Sequence, residues 1–451
     1  MTLASAIHSY HDLLTPSLAA ESQAQLDDQA SRRGLTFGSR PVCTVLRPRL
    51  LTPGQYRYLQ ARSSVLLRAL GKAQAAAVAD PAARAQFGLA EWEEELIQFD
   101  PGFAAPSPTS RLDAFLDSAT NELRFTEYNA ETPAGPAYND ALTEVFLGLP
   151  VMREFLRSWE VRPLPARHGV LHALLDAFHQ WRGVREAPRL AILDWREVPT
   201  YSEFVLFADY FKSQGLECVI ADPRECEYRD GRLMAGDFHA SLIYKRVLLS
   251  ELVDRAGLDG PVVRAVRDRA VCLVNPFRCK ILHKKASLAV LSDERNAGLF
   301  DAGEAAIIRE HLPWTRRVAE RKTVYQGREI DLAPFMLENR ERLVLKANDE
   351  YGGKGIVLGW ETEASAWEQA VRQALAEPFV VQERIMLPAE PYPSLIDGRL
   401  EVFDRMLDTD PFVSYGQYVE GCLTRLSTAA LLNVSAGGGS TVPTMLVEER
   451  Q

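Results

Sequence analysis

The stretch Arg111-Leu-Asp113-Ala-Phe-Leu116, followed by Phe125-Thr-Glu127-Tyr-Asn129-Ala-Glu131-Thr-Pro133, decides the reading of this chain. Arg111 to Leu116 and Leu123 to Tyr128 read as two short strands joined by the polar turn Asp117–Glu122. Residues i and i+2 of a strand share a face, so Glu127 and Asn129 point one way, and Arg111 and Asp113 do likewise. Asp113, Glu127 and Asn129 are hard oxygen donors of the kind Mg²⁺ shares with phosphate and water. On these residues alone, a solvent-facing strand edge is the better account.

Around this stretch lies an ordinary globular composition. The chain has 451 residues, 47% hydrophobic and 25% charged, with a net charge of −10. That length is enough for about two to four domains, each with its own core. A chain this acidic is not expected to bind nucleic acid through a general basic surface, although a local cationic pocket stays possible. The six cysteines form no CxxC pair or zinc spacing and read as reduced thiols of a cytoplasmic protein. The first residues show no secretory leader, and no run is apolar enough to span a membrane. His168 and His172 have the spacing of zinc ligands on a helix, but a packed or solvated helix face is the simpler account.

Two further motifs stand downstream. Val344-Leu-Lys346 is a strand ending in lysine. Tyr351-Gly352-Gly353-Lys354-Gly355 is a turn, and a second strand follows it. Glycines let backbone N–H groups approach an anion, and Lys346 and Lys354 add positive charge. The Walker A spacing is absent. Near the end, Arg425 precedes Asn433 and the glycines at 437–439, a set suited to clamping a phosphoryl group. Between these motifs, RLAILDW (189–195), a helix through Lys212 and LECVIAD (216–222) read as a β-α-β unit with a parallel sheet. Thr200 and Glu203 read as its capping box, and Asp194 and Glu197 as candidates to line a cleft at the strand's carboxyl end. Tyr138–Trp181 and 304–322 read as helical.

In this order the motifs resemble the ATP-grasp fold. Because Glu127–Asn129 stands ahead of the glycine loop, the chain is similar to the circularly permuted members, the synthetase part of glutathionylspermidine synthetase in particular. Asn275-Pro276, followed by His283-Lys284-Lys285, resembles that group's Asn-Pro…Asn-Lys segment, with His-Lys-Lys in place of the usual Asn-Lys. The resemblance covers roughly residues 110–445. It implies an α/β fold with a helical N-terminal region at 1–110 and a metal-binding part of the core at 111–185. A small Rossmann-like domain at 186–275, a connecting segment at 276–330, a lid at 331–395 and closing strands at 396–451 follow.

The resemblance also implies roles. Asp113, Glu127 and Asn129 would hold Mg²⁺. Lys285 and Lys346 would meet the α- and β-phosphates of ATP, and Gly352, Gly353, Lys354 and Gly355 would cover the β- and γ-phosphates. Gln382 and Glu383 would lie at the adenine, and Asn433 beside the nucleotide. Arg111 and Arg425 would stabilise the transferring group. The implied reaction joins a small-molecule carboxylate to an amine or short peptide through an acylphosphate. A phosphotransferase on the same fold, or a non-catalytic nucleotide-binding protein, remains open at this stage.

Overall fold

The structure is a computed structural model that describes residues 2–428 and 439–450. Its N-terminal part is mostly helical. Thr52 caps the helix Pro53–Ala79 through a capping box with Gln55, and the proline sits where the missing N–H costs nothing. Leu59, Leu66 and Leu70 of that helix are buried against the sheet strands Thr109–Leu116 and Leu123–Asn129 in one core cluster. This part also holds a strand, Arg49–Leu51, that runs parallel to Ser440–Glu449.

Among the described residues, nine strands form the main sheet, drawn from both ends of the chain. Thr109–Leu116 pairs antiparallel with Leu123–Asn129 on one side and with Asp410–Ser414 on the other. Tyr418–Ser427 continues from there and pairs with Ser440–Glu449. The strands that carry Arg111, Asp113, Glu127 and Asn129 are thus completed by strands some 300 residues later, the layout expected of a permuted chain. The region Tyr138–Trp181, read as helices interrupted at Pro150, Pro163 and Pro165, contains helices Pro136–Gly148, Pro150–Phe155 and Arg167–Arg182, with a strand, Trp159–Pro163, between the last two. That strand is held antiparallel to Ser440–Glu449, a long-range pairing with no local sequence signal.

The small α/β unit is present. Strands Arg189–Leu193, Glu217–Ala221, Leu242–Lys245 and Cys272–Val274 form one parallel sheet. Thr200 begins the helix Tyr201–Ser213 but makes no side-chain cap. Glu203 is fully buried and accepts the Gly135 N–H at 2.7 Å and an Arg246 Nη2 bond at 3.3 Å. Tertiary partners therefore replace the capping box. The helix at 304–322 stops at His311, ahead of Pro313, and the strand Thr315–Arg317 follows.

That strand lies at the edge of a third sheet, ordered Thr315–Arg317, Phe379–Glu383, Leu343–Ala347, Ile356–Leu358 and antiparallel throughout. Helix Ala364–Ala376 packs on it with Trp367, Val371 and Ala374 inward. Lys346 leaves this sheet toward Thr126 of the main sheet, at 3.4 Å from its carbonyl, so the two sheets face one another across the site.

Candidate functional site

Strand pairing sets Asp113 directly opposite Glu127 and Arg111 opposite Asn129. Asn129 Nδ2 lies 2.7 Å from Asp113 Oδ1, which brings the three expected Mg²⁺ donors together. Arg111 holds Asp113 with Nε at 2.8 Å and Nη2 at 3.2 Å. Arg425 donates to the same carboxylate, Nη2 to Oδ2 at 2.7 Å. Burial pushes the Asp113 carboxyl up, but Arg111 and Arg425 outweigh it and hold it well below the usual range.

Two acids that sequence reasoning missed complete this cluster. Asp408 Oδ2 takes Arg425 Nε at 2.6 Å, and Asp410 Oδ2 lies 2.9 Å from Arg425 Nη2. Both are fully or almost fully buried. Burial, together with Asp113 and Asp408, drives the Asp410 carboxyl well up. Asp408 lies in the short link between two strands and Asp410 opens the strand Asp410–Ser414, and nothing in the local pattern marks them out.

Lys285 Nζ stands 3.0 Å from Glu127 Oε1 and 2.5 Å from the Glu350 carbonyl, at the root of the glycine loop. Burial pushes the Glu127 carboxyl up, but the Lys285 charge brings it below its ordinary value. Lys346 Nζ donates to Gln382 Oε1 at 2.7 Å. Burial moves the Lys346 ammonium down to about 8. Gln382 therefore faces Lys346 between the sheets. Its strand neighbour Glu383 turns the other way and accepts Tyr325 Oη at 2.7 Å.

The glycine loop has left-handed backbone at Gly352, Gly353 and Gly355. At Gly355 a Cβ would stand 2.6 Å from the Ala347 Cβ, so only glycine lets the loop fold back on its own strand. Lys354 lies over the Tyr351 ring. Asn433 lies outside the described residues.

Below the loop is a cavity of about 490 Å³. Arg111, Asn129 and Arg425 line it together with Lys354, and Asp194, Arg246 and Glu251 line it from the α/β unit. Asp194 is therefore where the strand-end argument put it. Glu197 is not among the lining residues; it is spent on Arg224 at 2.7 Å and Arg255 at 3.0 Å. His168 lies 3.4 Å from Glu420 on a half-exposed helix face.

Glu131 is a further residue whose part the sequence did not show. It is fully buried and accepts Lys245 Nζ at 3.0 Å and Lys280 Nζ at 3.2 Å, with His283 Nε2 at 3.7 Å. It joins the end of the Leu123–Asn129 strand to the α/β unit and to the connecting helix Cys279–His283. Asn275 supports the same junction by donating to the carbonyls of Thr109, Ala130 and Glu131. The Asn-Pro…Lys segment thus clamps the strands that carry Asp113 and Glu127, and Lys285 follows it.

The residues present suit a divalent cation. Asp113 and Glu127 are held as carboxylates among Arg111, Arg425, Lys285 and Lys346, while burial pushes the Asp408 and Asp410 carboxyls up beside Arg425. Among the described residues, no three His, Cys, Asp or Glu side chains form a self-contained metal site. Two carboxylates and an amide fit an ion that takes its remaining oxygens from a ligand. Among the described residues, no helix is long and apolar enough to cross a membrane.

No family model matches the chain. Its structure is similar to that of a glutathione synthetase-like effector from Globodera pallida, with a TM-score of 0.61 and 12% identity. That match covers 96% of this chain and 98% of the other. A weaker likeness, with a TM-score of 0.28 and 16% identity, is to a RimK-domain ATP-grasp protein from Sphaerobacter thermophilus, over 57% of this chain and 90% of that one. In sequence, the chain is 25% identical over 235 residues to a Frankia casuarinae protein with the provisional name glutamate–cysteine ligase 2-2. That stretch is 49% of this chain and 25% of the relative, so the chain spans about a quarter of the relative's length.

Proposed function

We propose that this chain, with its ATP-grasp-like fold, is an ATP-dependent ligase that joins a small-molecule carboxylate to an amine or short peptide. The observation that supports the reading most is the shared carboxylate of Asp113. It is gripped by Arg111 and Arg425, faces Glu127, and is one residue pair from Lys285. Arg111, Arg425 and Asn129 line the cavity and hold Asp113, while Lys285 and Lys346 face Glu127 on the neighbouring strand; this set of two arginines, two lysines and three oxygen donors suits a triphosphate and its metal.

A carboxylate resists attack by an amine because its leaving group is poor. Transfer of the γ-phosphoryl group gives an acylphosphate, whose phosphate leaves readily. In this reading Lys285 and Lys346 neutralise the α- and β-phosphates, while Gly352–Gly355 and Lys354 fold over the β- and γ-phosphates. Arg111 and Arg425 orient the carboxylate and balance charge on the travelling group. Asp113, Glu127 and Asn129 would hold Mg²⁺, whose charge offsets that of the phosphates. Gln382 keeps Lys346 aimed between the sheets. Glu383 would lie at the adenine through its main chain, since its side chain is taken by Tyr325. With the loop down, water is kept from the acylphosphate.

The test is nucleotide turnover across panels of amino acids, short peptides and polyamines. ADP and inorganic phosphate, released only when both a carboxylate and an amine are supplied, support the reading. AMP with pyrophosphate as the stoichiometric products would exclude it.

A further inference from the structure

The cavity lined by Arg111 and Arg425 is also lined by two acids of the α/β unit, Asp194 and Glu251, with Arg246 beside Asp194 and Lys354 over the ring of Tyr351, which bonds Glu251. Asp194 follows directly on the strand Arg189–Leu193, and Glu251 lies in the first turn of the helix Leu249–Ala256. Val198, Pro199 and Leu248 add apolar lining to the same cavity. We propose that Asp194 and Glu251 form the subsite for the amine substrate in its ammonium form, and that Asp194 is the base that deprotonates it. This rests on the ligase reading given above and adds to it the charge of the second substrate and the residue that activates it.

The contacts of the two acids fit that division of labour. Glu251 is fixed from both sides: Trp195 Nε1 donates to Oε2 at 3.1 Å, and the Tyr351 hydroxyl donates to Oε1 at 2.9 Å. Tyr351 belongs to the glycine loop, so the loop that would cover the phosphates also reaches Glu251. Asp194 is 7% exposed; its N–H bonds the Ala221 carbonyl at 3.1 Å, and its carboxylate accepts the Trp195 N–H at Oδ1 at 2.8 Å. The charges that face Asp194 are Arg246, Glu251 and Lys245. Arg246 is committed to the Pro133 carbonyl, the Tyr244 hydroxyl and Glu203, and Lys245 to Glu131. Burial carries the Asp194 carboxyl up to about 6, which suits a group that takes a proton near neutrality and gives it up again.

The chemistry balances. The ammonium gives one proton to Asp194, and the freed nitrogen lone pair attacks the acylphosphate carbon. The carbon–oxygen bond to phosphate then breaks, and the electron pair leaves with the phosphate. The second proton lost by nitrogen passes to the departing phosphate, and Asp194 releases its proton to solvent.

Calorimetry with two cationic probes, L-alaninamide and 1,4-diaminobutane, and the neutral N-acetyl-L-alaninamide tests the subsite. Each is titrated into the full chain with and without Mg²⁺ and a non-hydrolysable ATP analogue. At least one cation should bind at pH 7.5 while the neutral probe does not. Asp194→Asn and, independently, Glu251→Gln should each weaken it about tenfold, the loss expected for one charged partner. Glu197→Gln, at a neighbouring acid outside the cavity, should leave it unchanged. Affinity in the wild type should fall as pH drops through about 6, where Asp194 takes up a proton, and Asp194→Asn should remove that dependence. Binding of neither cation, equal binding of the neutral probe, or a pH profile that Asp194→Asn leaves intact would overturn the proposal. Cation binding in a protein that ignores the nucleotide would instead overturn the ligase reading and leave the subsite standing.

Discussion

Arg425 and Asp113, 312 residues apart in sequence, meet at 2.7 Å inside the main sheet. The same guanidinium takes Asp408 with Nε, and the same carboxylate takes Arg111. One contact therefore closes the sheet between early and late strands and sets the two arginines at the cavity. Structure and proposed chemistry rest on the same atoms, and the variants of these residues separate accordingly.

Replacing Asp113 by Asn should destabilise the fold as well as stop turnover. The substitution removes the carboxylate that both buried arginines grip, leaving them as acidic partners only the raised carboxyls of Asp408 and Asp410. Breaking such a pair costs about 3–5 kcal/mol, so a clear fall in Tm is expected. Glu127→Gln, at a less enclosed carboxylate, should lower turnover about 10²-fold or more with little change in Tm. Thermal melts and turnover measured on both variants check this; equal melting of Asp113→Asn and wild type would contradict the account.

Mg²⁺ with ATP should raise Tm. A ligand that binds only the native state stabilises it by about 2.7 kcal/mol at a hundredfold excess over Kd. The shift should be smaller without Mg²⁺, because the Asp113 and Glu127 carboxylates then face the phosphates with no cation between them. No shift at saturating nucleotide in either condition would count against the Lys285, Lys346 and glycine-loop assignment.

Much of this site was legible from residue order. Strand alternation put Glu127 with Asn129 and Arg111 with Asp113, and the pairing of those strands then joined all four. Lys346 and the glycine loop were readable because a turn that needs left-handed backbone leaves glycines behind. What stayed hidden was of longer range. Asp408 and Asp410 have meaning only beside Arg425 once the sheet has formed. Glu131 meets Lys245 and Lys280, more than 100 residues away, and no spacing rule connects them. Glu203 looked like a cap because the local rule cannot see Gly135 and Arg246.

At acid pH, Glu390 should be among the groups that release the fold. It joins Arg47, at 3.0 Å, and Arg49 to the strand Ala389–Ile396, and accepts Ser118 Oγ at 2.6 Å. Burial pushes its carboxyl up, but Arg49 and Arg47 prevail and bring it down to about 2. A carboxylate with a depressed folded pKa stabilises fully above its unfolded value of about 4.3. That contribution is lost as pH falls from there through about 2. Glu390→Gln should therefore be less stable at pH 7, and its stability should depend less on pH across this window. Denaturant melts at stepped pH would show it; parallel curves for the two proteins would refute it.

The last prediction concerns Lys346, whose charge is held at a cost. Its ammonium is enclosed between the sheets and bonded to Gln382 and the Thr126 carbonyl. Burial lowers its pKa to about 8, with Glu127 pulling upward and Lys285 pushing downward. In the free protein the charge is present below about pH 8 and lost above it, so the affinity for the ATP phosphates should decline as pH rises from 7 to 9. The loss should approach the worth of one hydrogen bond to a charged group, about 1.5–3 kcal/mol, or roughly tenfold to a hundredfold in Kd. The triphosphate is already fully ionised over most of that range, so the ligand contributes little to the slope. Lys346→Met should bind weakly at every pH with no such decline. Lys346→Arg should keep its charge throughout, because a guanidinium does not titrate there, and its Kd should be nearly flat. Calorimetric titration of Mg²⁺ and a non-hydrolysable ATP analogue into the three proteins decides the matter. A decline above pH 8 that is as steep in Lys346→Arg as in the wild type would show that another group governs it.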